Sequence, residues 1–232
     1  MIPAGVLGSA RVGSTWTPES LGAALVGWWD ASDAATITQS GGYVSAWGDK
    51  SPSARALTQA TSTAQPLTGT RTLNGLNVLD FDGGDWLVNT TLLATVQPFT
   101  VATVSQFDAT TGTGAFVAYN NGAHTPYAGT DGIWKSSAGT FLTTGVAANT
   151  SPHVHAYIFN GASTQLRIDG AQVALGNAGT NGTGATVAGA VTTAGGSPLN
   201  GALGECLIAS GALSGADLAN LETYLKTKWG IA

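Results

Sequence analysis

The sequence predicts an all-β protein closed by one short helix, and three observations predict it. Apolar blocks alternate with Asp-, Asn- and Gly-rich turns along most of the chain. Charged residues make up 9% of it, against roughly 25% in ordinary globular domains. Thr, Ser, Ala, Gly and Asn take their place, which suits strands with Thr/Ser outer faces better than helices laced with ion pairs. Apolar residues at clear helical spacing occur near the C-terminus. A length of 232 residues suits one domain of the larger all-β kind, which runs to roughly 250 residues as a single unit.

Residues 1–22 read as an extended N-terminal arm, and 23–232 as the β domain. The arm carries Val6, Leu7, Val12 and Trp16 among Gly, Ser, Pro and Thr. Arms of this kind dock on a partner chain or fold back on their own domain. Thr17 and Pro18 have N-cap and N1 character for a helical turn. The first strand is predicted over 26–30. A second spans 43–47 after a Gly41-Gly42 turn, with Tyr43, Ser45 and Trp47 on one face and Val44 and Ala46 on the other. Residues 49–53 are a turn, and 54–65 a polar loop. Strands over 78–81 and 86–88 flank the turn Asp82-Gly83-Gly84-Asp85.

Residues 99–107, rich in β-branched side chains, form the strongest predicted strand. Strand 115–119 ends at an Asn120-Asn121-Gly122 turn. Shorter strands are expected at 132–135 and 140–143, then an alternating one at 154–159. Residues 165–174 read as a hairpin turning at Asp169-Gly170. Residues 176–198 are a low-complexity Gly/Thr/Ala/Asn stretch, read as a loop with an edge strand near 186–191. Residues 199–209 form the last core strand. The helix begins at Ser214 as N-cap, with Asp217 three residues on. Leu218, Leu221, Tyr224 and Leu225 share one face, and Gly230 is the C-cap.

Two stretches carry a family resemblance. One runs from Val26-Gly27-Trp28-Trp29-Asp30 through Ala46-Trp47-Gly48-Asp49 to Asn77-Val78-Leu79-Asp80-Phe81-Asp82-Gly83. The other is the closing segment 212–230. Together with the Leu166-Arg167-Ile168-Asp169-Gly170 hairpin, they resemble the concanavalin A-like, laminin-G-like jelly roll, in the version found in tailed-phage virion proteins and bacterial surface proteins. The resemblance implies a two-sheet antiparallel sandwich with a C-terminal α-helix. It implies a structural or adhesion component of a tailed-phage virion: a minor tail protein, with a capsid decoration protein or a module binding host cell-wall glycan as alternatives. Its partners would be other virion proteins in an oligomeric assembly and host surface glycan. The N-terminus has no basic n-region or apolar h-region, which fits synthesis in the host cytoplasm and display on the particle.

Chemistry is sparse in the sequence. Net charge is -5 with no basic stripe, which argues against a phosphate footprint and hence nucleic acid. No apolar run is long enough for a membrane-spanning helix. Lone Cys206 forms no intramolecular disulfide and sits in an apolar run, as a buried thiol does. Glucanases of the resembled fold carry a Glu-x-Asp-x-x-Glu run. The three glutamates here, Glu19, Glu205 and Glu222, form none, and a non-enzymatic protein is expected. No cofactor is expected beyond Ca²⁺, for which Asp82 and Asp85 are candidate ligands, hard oxygens beside Asp80 and two glycines. His153 and His155 alternate on one strand face without a third ligand. Tyr119, Asn121, Tyr127, Asp131 and Trp134 are the candidate glycan-binding residues, because aromatic faces stack on sugars and Asn and Asp hold hydroxyls.

Overall fold

A computed structural model describes residues 16–91, 96–117 and 125–232. The strands are β1 (Leu25–Asp30), β2 (Ile37–Ser40), β3 (Tyr43–Trp47), β4 (Leu57–Thr58), β5 (Leu67–Leu73), β6 (Leu76–Asp82), β7 (Leu87–Asn89), β8 (Phe99–Phe107), β9 (Thr113–Val117), β10 (Thr125–Ala128), β11 (Ile133–Ser137), β12 (Phe141–Ala147), β13 (His153–Phe159), β14 (Thr164–Ile168), β15 (Ala171–Gly176), β16 (Thr186–Ala188) and β17 (Asn200–Ser210), followed by helix α1 (Gly215–Trp229).

Every pairing is antiparallel. One side runs β15–β14–β13–β8–β17. The free edge of β17 is shared, by β6 over 200–203 and by β1 over 205–209. From β6 the ladder continues through β5, β3, β4, β7, β16, β9, β10 and β11 to β12. The expected all-β antiparallel fold with a closing helix is what forms. Its two sheets, however, are not separate. They are joined edge to edge into one nearly closed, barrel-like sheet, because short strands such as β4 and β16 bridge the gap.

Two cores follow from strand alternation. Along β8, Phe99, Val101 and Phe107 point into the ring, where they meet Trp29, Trp47, Phe81, Phe116, Trp134, Tyr157 and Phe159. Ala102 and Val104 point outward and meet Leu218, Leu221, Leu225 and Trp229 of α1. The alternation of β17 is interrupted by an irregularity between Leu203 and Glu205. That bulge turns Glu205 toward the helix and returns Cys206 and Ile208 to the inner core. Gly204 sits in the bulge, and a Cβ there would lie 2.9–3.1 Å from three Trp229 ring carbons. Only glycine lets the indole lie against the strand.

Asn74-Gly75 and Asp169-Gly170, all at positive φ, close the tight hairpins β5–β6 and β14–β15. The Asp82–Asp85 turn is flanked by strands as expected, but it closes no hairpin. β6 pairs with β5 and β17, and β7 with β4 and β16, so the turn carries the chain between opposite parts of the ring. The supposed polar loop 54–65 contains β4 and a 3₁₀ turn, Ser62–Ala64. The low-complexity stretch holds β16, buried and paired on both edges rather than at an edge. Its small residues are what fit: a Cβ on Gly189 would come within 2.2 Å of the Phe81 ring.

Ser214 occupies the N-cap of α1, but its side chain makes no capping hydrogen bond. Gly230, at φ 67, ends the helix as expected. Trp16 and Leu21, on the arm side of the expected boundary, pack against the outer core. Trp16 stands edge-on to Tyr224, with ring centroids 6.0 Å apart. Val6, Leu7 and Val12 lie outside the described residues.

Candidate functional site

A cleft of about 450 Å³ opens beside the β5–β6 hairpin. The register between these strands shifts between Thr68 and Thr72, so β5 bulges and carries Arg71 toward the end of β8. There Arg71 donates two hydrogen bonds to Asp108, Nη1 to Oδ2 at 2.7 Å and Nη2 to Oδ1 at 2.8 Å. A longer 3.4 Å contact joins Nη1 to Asp80. Asp80 and Asp82 come from β6, Asp85 from the following turn, Asn200 from the start of β17, and Tyr43 from β3. Tyr43 is 48% exposed at the rim.

The turn is built by its own carboxylates. Asp82 Oδ1 accepts the Gly84 N–H at 2.8 Å, and Asp85 Oδ2 accepts the Asp82 N–H at 3.1 Å. Asp85 is 5% exposed while Asp82 is exposed. Burial pushes the Asp85 carboxyl up to about 6, and the charges of Asp82 and Asp80 push the same way. Asp108 moves down, chiefly through its hydrogen bonds from Arg71, whose own pKa rises in return. The cleft therefore offers carboxylate acceptors, an amide, and a flat exposed ring. These groups suit the hydroxyls and C–H faces of a polyol.

The expected Ca²⁺ ligands Asp82 and Asp85 are thus neighbours, each with one oxygen taken by a backbone N–H. Ca²⁺ takes about six to eight oxygens. Among the described residues no group of three or more His, Cys, Asp or Glu side chains is placed to hold a metal.

The sequence-predicted glycan residues scatter. Tyr127 is half-buried and stacks on the exposed Phe141 at 5.6 Å. Asp131 is exposed and paired with Lys135 at 2.8 Å. Trp134 is in the inner core, 1% exposed and edge-on to Phe107, so its indole is shielded from a surface ligand. Tyr119 and Asn121 lie outside the described residues. His153 bonds Asp169 at 2.6 Å, and His155 is fully buried against the Tyr157 hydroxyl. Burial lowers the His155 pKa well below the ordinary value, with His153 adding to the effect. The cleft residues Tyr43, Arg71, Asp108 and Asn200 are missed by sequence reasoning. Their one signal is that Arg71 is a rare cation in a chain of low charge.

No family model and no curated protein matches this sequence. Solved structures do match its fold. Domain 4 of an extracellular arabinanase from Geobacillus stearothermophilus, in complex with arabinotriose, superposes with a TM-score of 0.60 at 13% identity, over 82% of this chain and 94% of that one. A Trypanosoma rangeli sialidase in complex with sialic acid gives 0.58 at 14% identity, over 89% of this chain and 33% of that one. The binding domain of a Paraclostridial mosquitocidal protein gives 0.54 at 12% identity, over 90% of this chain and 52% of that one. This chain thus spans a third of the sialidase and about half of the mosquitocidal chain. The likeness is one of fold, of an all-β antiparallel kind.

These neighbours correct the expectation of a non-enzymatic chain, since an arabinanase and a sialidase are enzymes and the fold is one found within them. That expectation rested on the lack of one Glu-x-Asp-x-x-Glu run. Carboxylates gather at the cleft without that run: Asp80, Asp82 and Asp85 come from β6 and its turn, and Asp108 joins them from just past β8.

Proposed function

We propose that this chain is a carbohydrate-binding β domain whose glycan site is the cleft between Tyr43, Asp82 and Asp108. The observation that carries the reading is the cleft itself, where acceptor carboxylates and an exposed aromatic ring face one concave surface. Support comes from the fold: the arabinanase domain of the same fold was solved with arabinotriose. The virion role rests on the sequence resemblance alone.

The test is titration of the purified chain with arabinotriose and with lactose, followed by NMR shift changes or calorimetry. A multimerised form adds avidity for weak single-site binding. Tyr43→Ala should weaken binding at least ten-fold, and Tyr127→Ala should leave it unchanged. Full binding by Tyr43→Ala, or its loss in Tyr127→Ala, would move the site to the β10–β12 surface.

A further inference from the structure

We infer that the cleft selects glycans free of acidic groups, and that the Arg71–Asp108 pair sets this selectivity; the inference rests on the carbohydrate reading above. Four carboxylates, Asp80, Asp82, Asp85 and Asp108, line the cleft against the single guanidinium of Arg71. Arginine is the side chain best shaped to grip a carboxylate, through two parallel N–H bonds. Here both Arg71 Nη atoms are spent on Asp108, at 2.7 and 2.8 Å, with Nη1 also near Asp80. The cation that could have received an acidic sugar is already neutralised from within.

What remains facing the ligand is negative. Asp82 is exposed, with Oδ1 on the Gly84 N–H. Asp108 is half-open to solvent, its side chain 41% exposed. A sugar carboxylate entering here would meet like charges at short range with no free cation to offset them. Hydroxyls meet the opposite situation, because they donate readily to carboxylate oxygens. The two glycans in the neighbouring complexes divide along this line. Arabinotriose carries no ionisable group and sialic acid carries a carboxylate. The charge of this cleft sides with the first.

The experiment compares lactose with 3′-sialyllactose, and arabinotriose with N-acetylneuraminic acid, at pH 7.5 and low salt. The neutral member of each pair should bind at least ten-fold more tightly. Raising the salt to about 0.5 M should narrow that gap, since exposed charges are screened over a few ångströms there. Asp108→Asn unties the guanidinium, and the ratio of acidic to neutral affinity should rise at least ten-fold. Arg71→Lys in the same background should abolish the rise, because an ammonium lacks the paired donors. Asp82→Asn keeps its acceptor for Gly84 N–H and so guards against misfolding of the first variant. It too should narrow the gap. Equal affinity of the wild type for the paired neutral and acidic probes would overturn the selectivity. So would an unchanged ratio in folded Asp108→Asn. Absence of binding to all four probes would instead overturn the carbohydrate reading beneath it.

Discussion

Replacing Glu205 with alanine should destabilise the protein by about 3–5 kcal/mol, because it orphans three donors, two of them buried indole N–H groups, at once. The side chain is 0% exposed. Its Oε1 accepts from Trp28 Nε1 at 2.7 Å and from the Tyr224 hydroxyl at 3.1 Å. Its Oε2 accepts from Lys228 Nζ at 2.7 Å and Trp229 Nε1 at 2.9 Å. One carboxylate thus ties β1 and α1 to β17. Burial and the nearby Asp30 push its pKa up, and the bonds from Lys228 and Trp229 oppose them. Alanine would leave two indole N–H groups and a hydroxyl without their acceptor, each worth about 1–3 kcal/mol if it finds no substitute. Lys228 would keep Asp30, at 2.8 Å, which holds the total below the sum of the parts. For a domain of this size 1 kcal/mol moves Tm by about 2–4 °C, so the melting temperature should fall by about 6–20 °C. Glu205→Gln keeps volume and one acceptor oxygen and should cost less than alanine. Urea unfolding followed by tryptophan fluorescence reads both variants. A loss under about 1 kcal/mol for Glu205→Ala would refute the reasoning, because the orphaned donors would then have found water or new partners.

Asp85 should make stability depend on pH. Its carboxyl sits at about 6 when folded, against about 3.9 for an ordinary aspartate, so the folded chain holds this proton more tightly than the unfolded one. The stabilisation is complete below about pH 4 and is lost as pH rises through about 6. Asp85→Asn, which keeps an acceptor for the Asp82 N–H, should remove that dependence. The change in unfolding free energy between pH 4 and pH 8 should then differ from wild type by up to about 3 kcal/mol, and identical pH profiles would refute it. Leu221, 1% exposed between α1 and the sheet, should cost about 2–5 kcal/mol when cut to alanine. An unchanged melting temperature would place that helix face away from the core.

Much of the fold was legible because its signals are local. Richness in β-branched residues over 99–107 marks β8, and the Asp169-Gly170 pair marks a turn that only residues tolerating positive φ can make. Leu218, Leu221 and Leu225 at helical spacing mark the buried face of α1. Where local signals mislead, longer-range packing has overridden them. Asp82-Gly83-Gly84-Asp85 looks like a hairpin turn, yet its flanking strands find better partners elsewhere. Residues 186–188 read as an edge strand, yet β16 is paired on both sides, with β7 and with β9.

The sequence by itself determined the all-β class and the closing helix. Each depends on the periodicity of neighbouring residues, which a chain displays before it folds. Only the tertiary structure decided that the two sheets merge into one nearly closed ring. It alone turned Trp134 inward, directed Glu205 under the helix through a one-residue bulge, and assembled the cleft. Arg71, Asp108 and Asn200 share no pattern in the sequence. They meet because a bulge in β5, the end of β8 and the start of β17 converge, and strand pairing between distant segments is the physical quantity that brings them together.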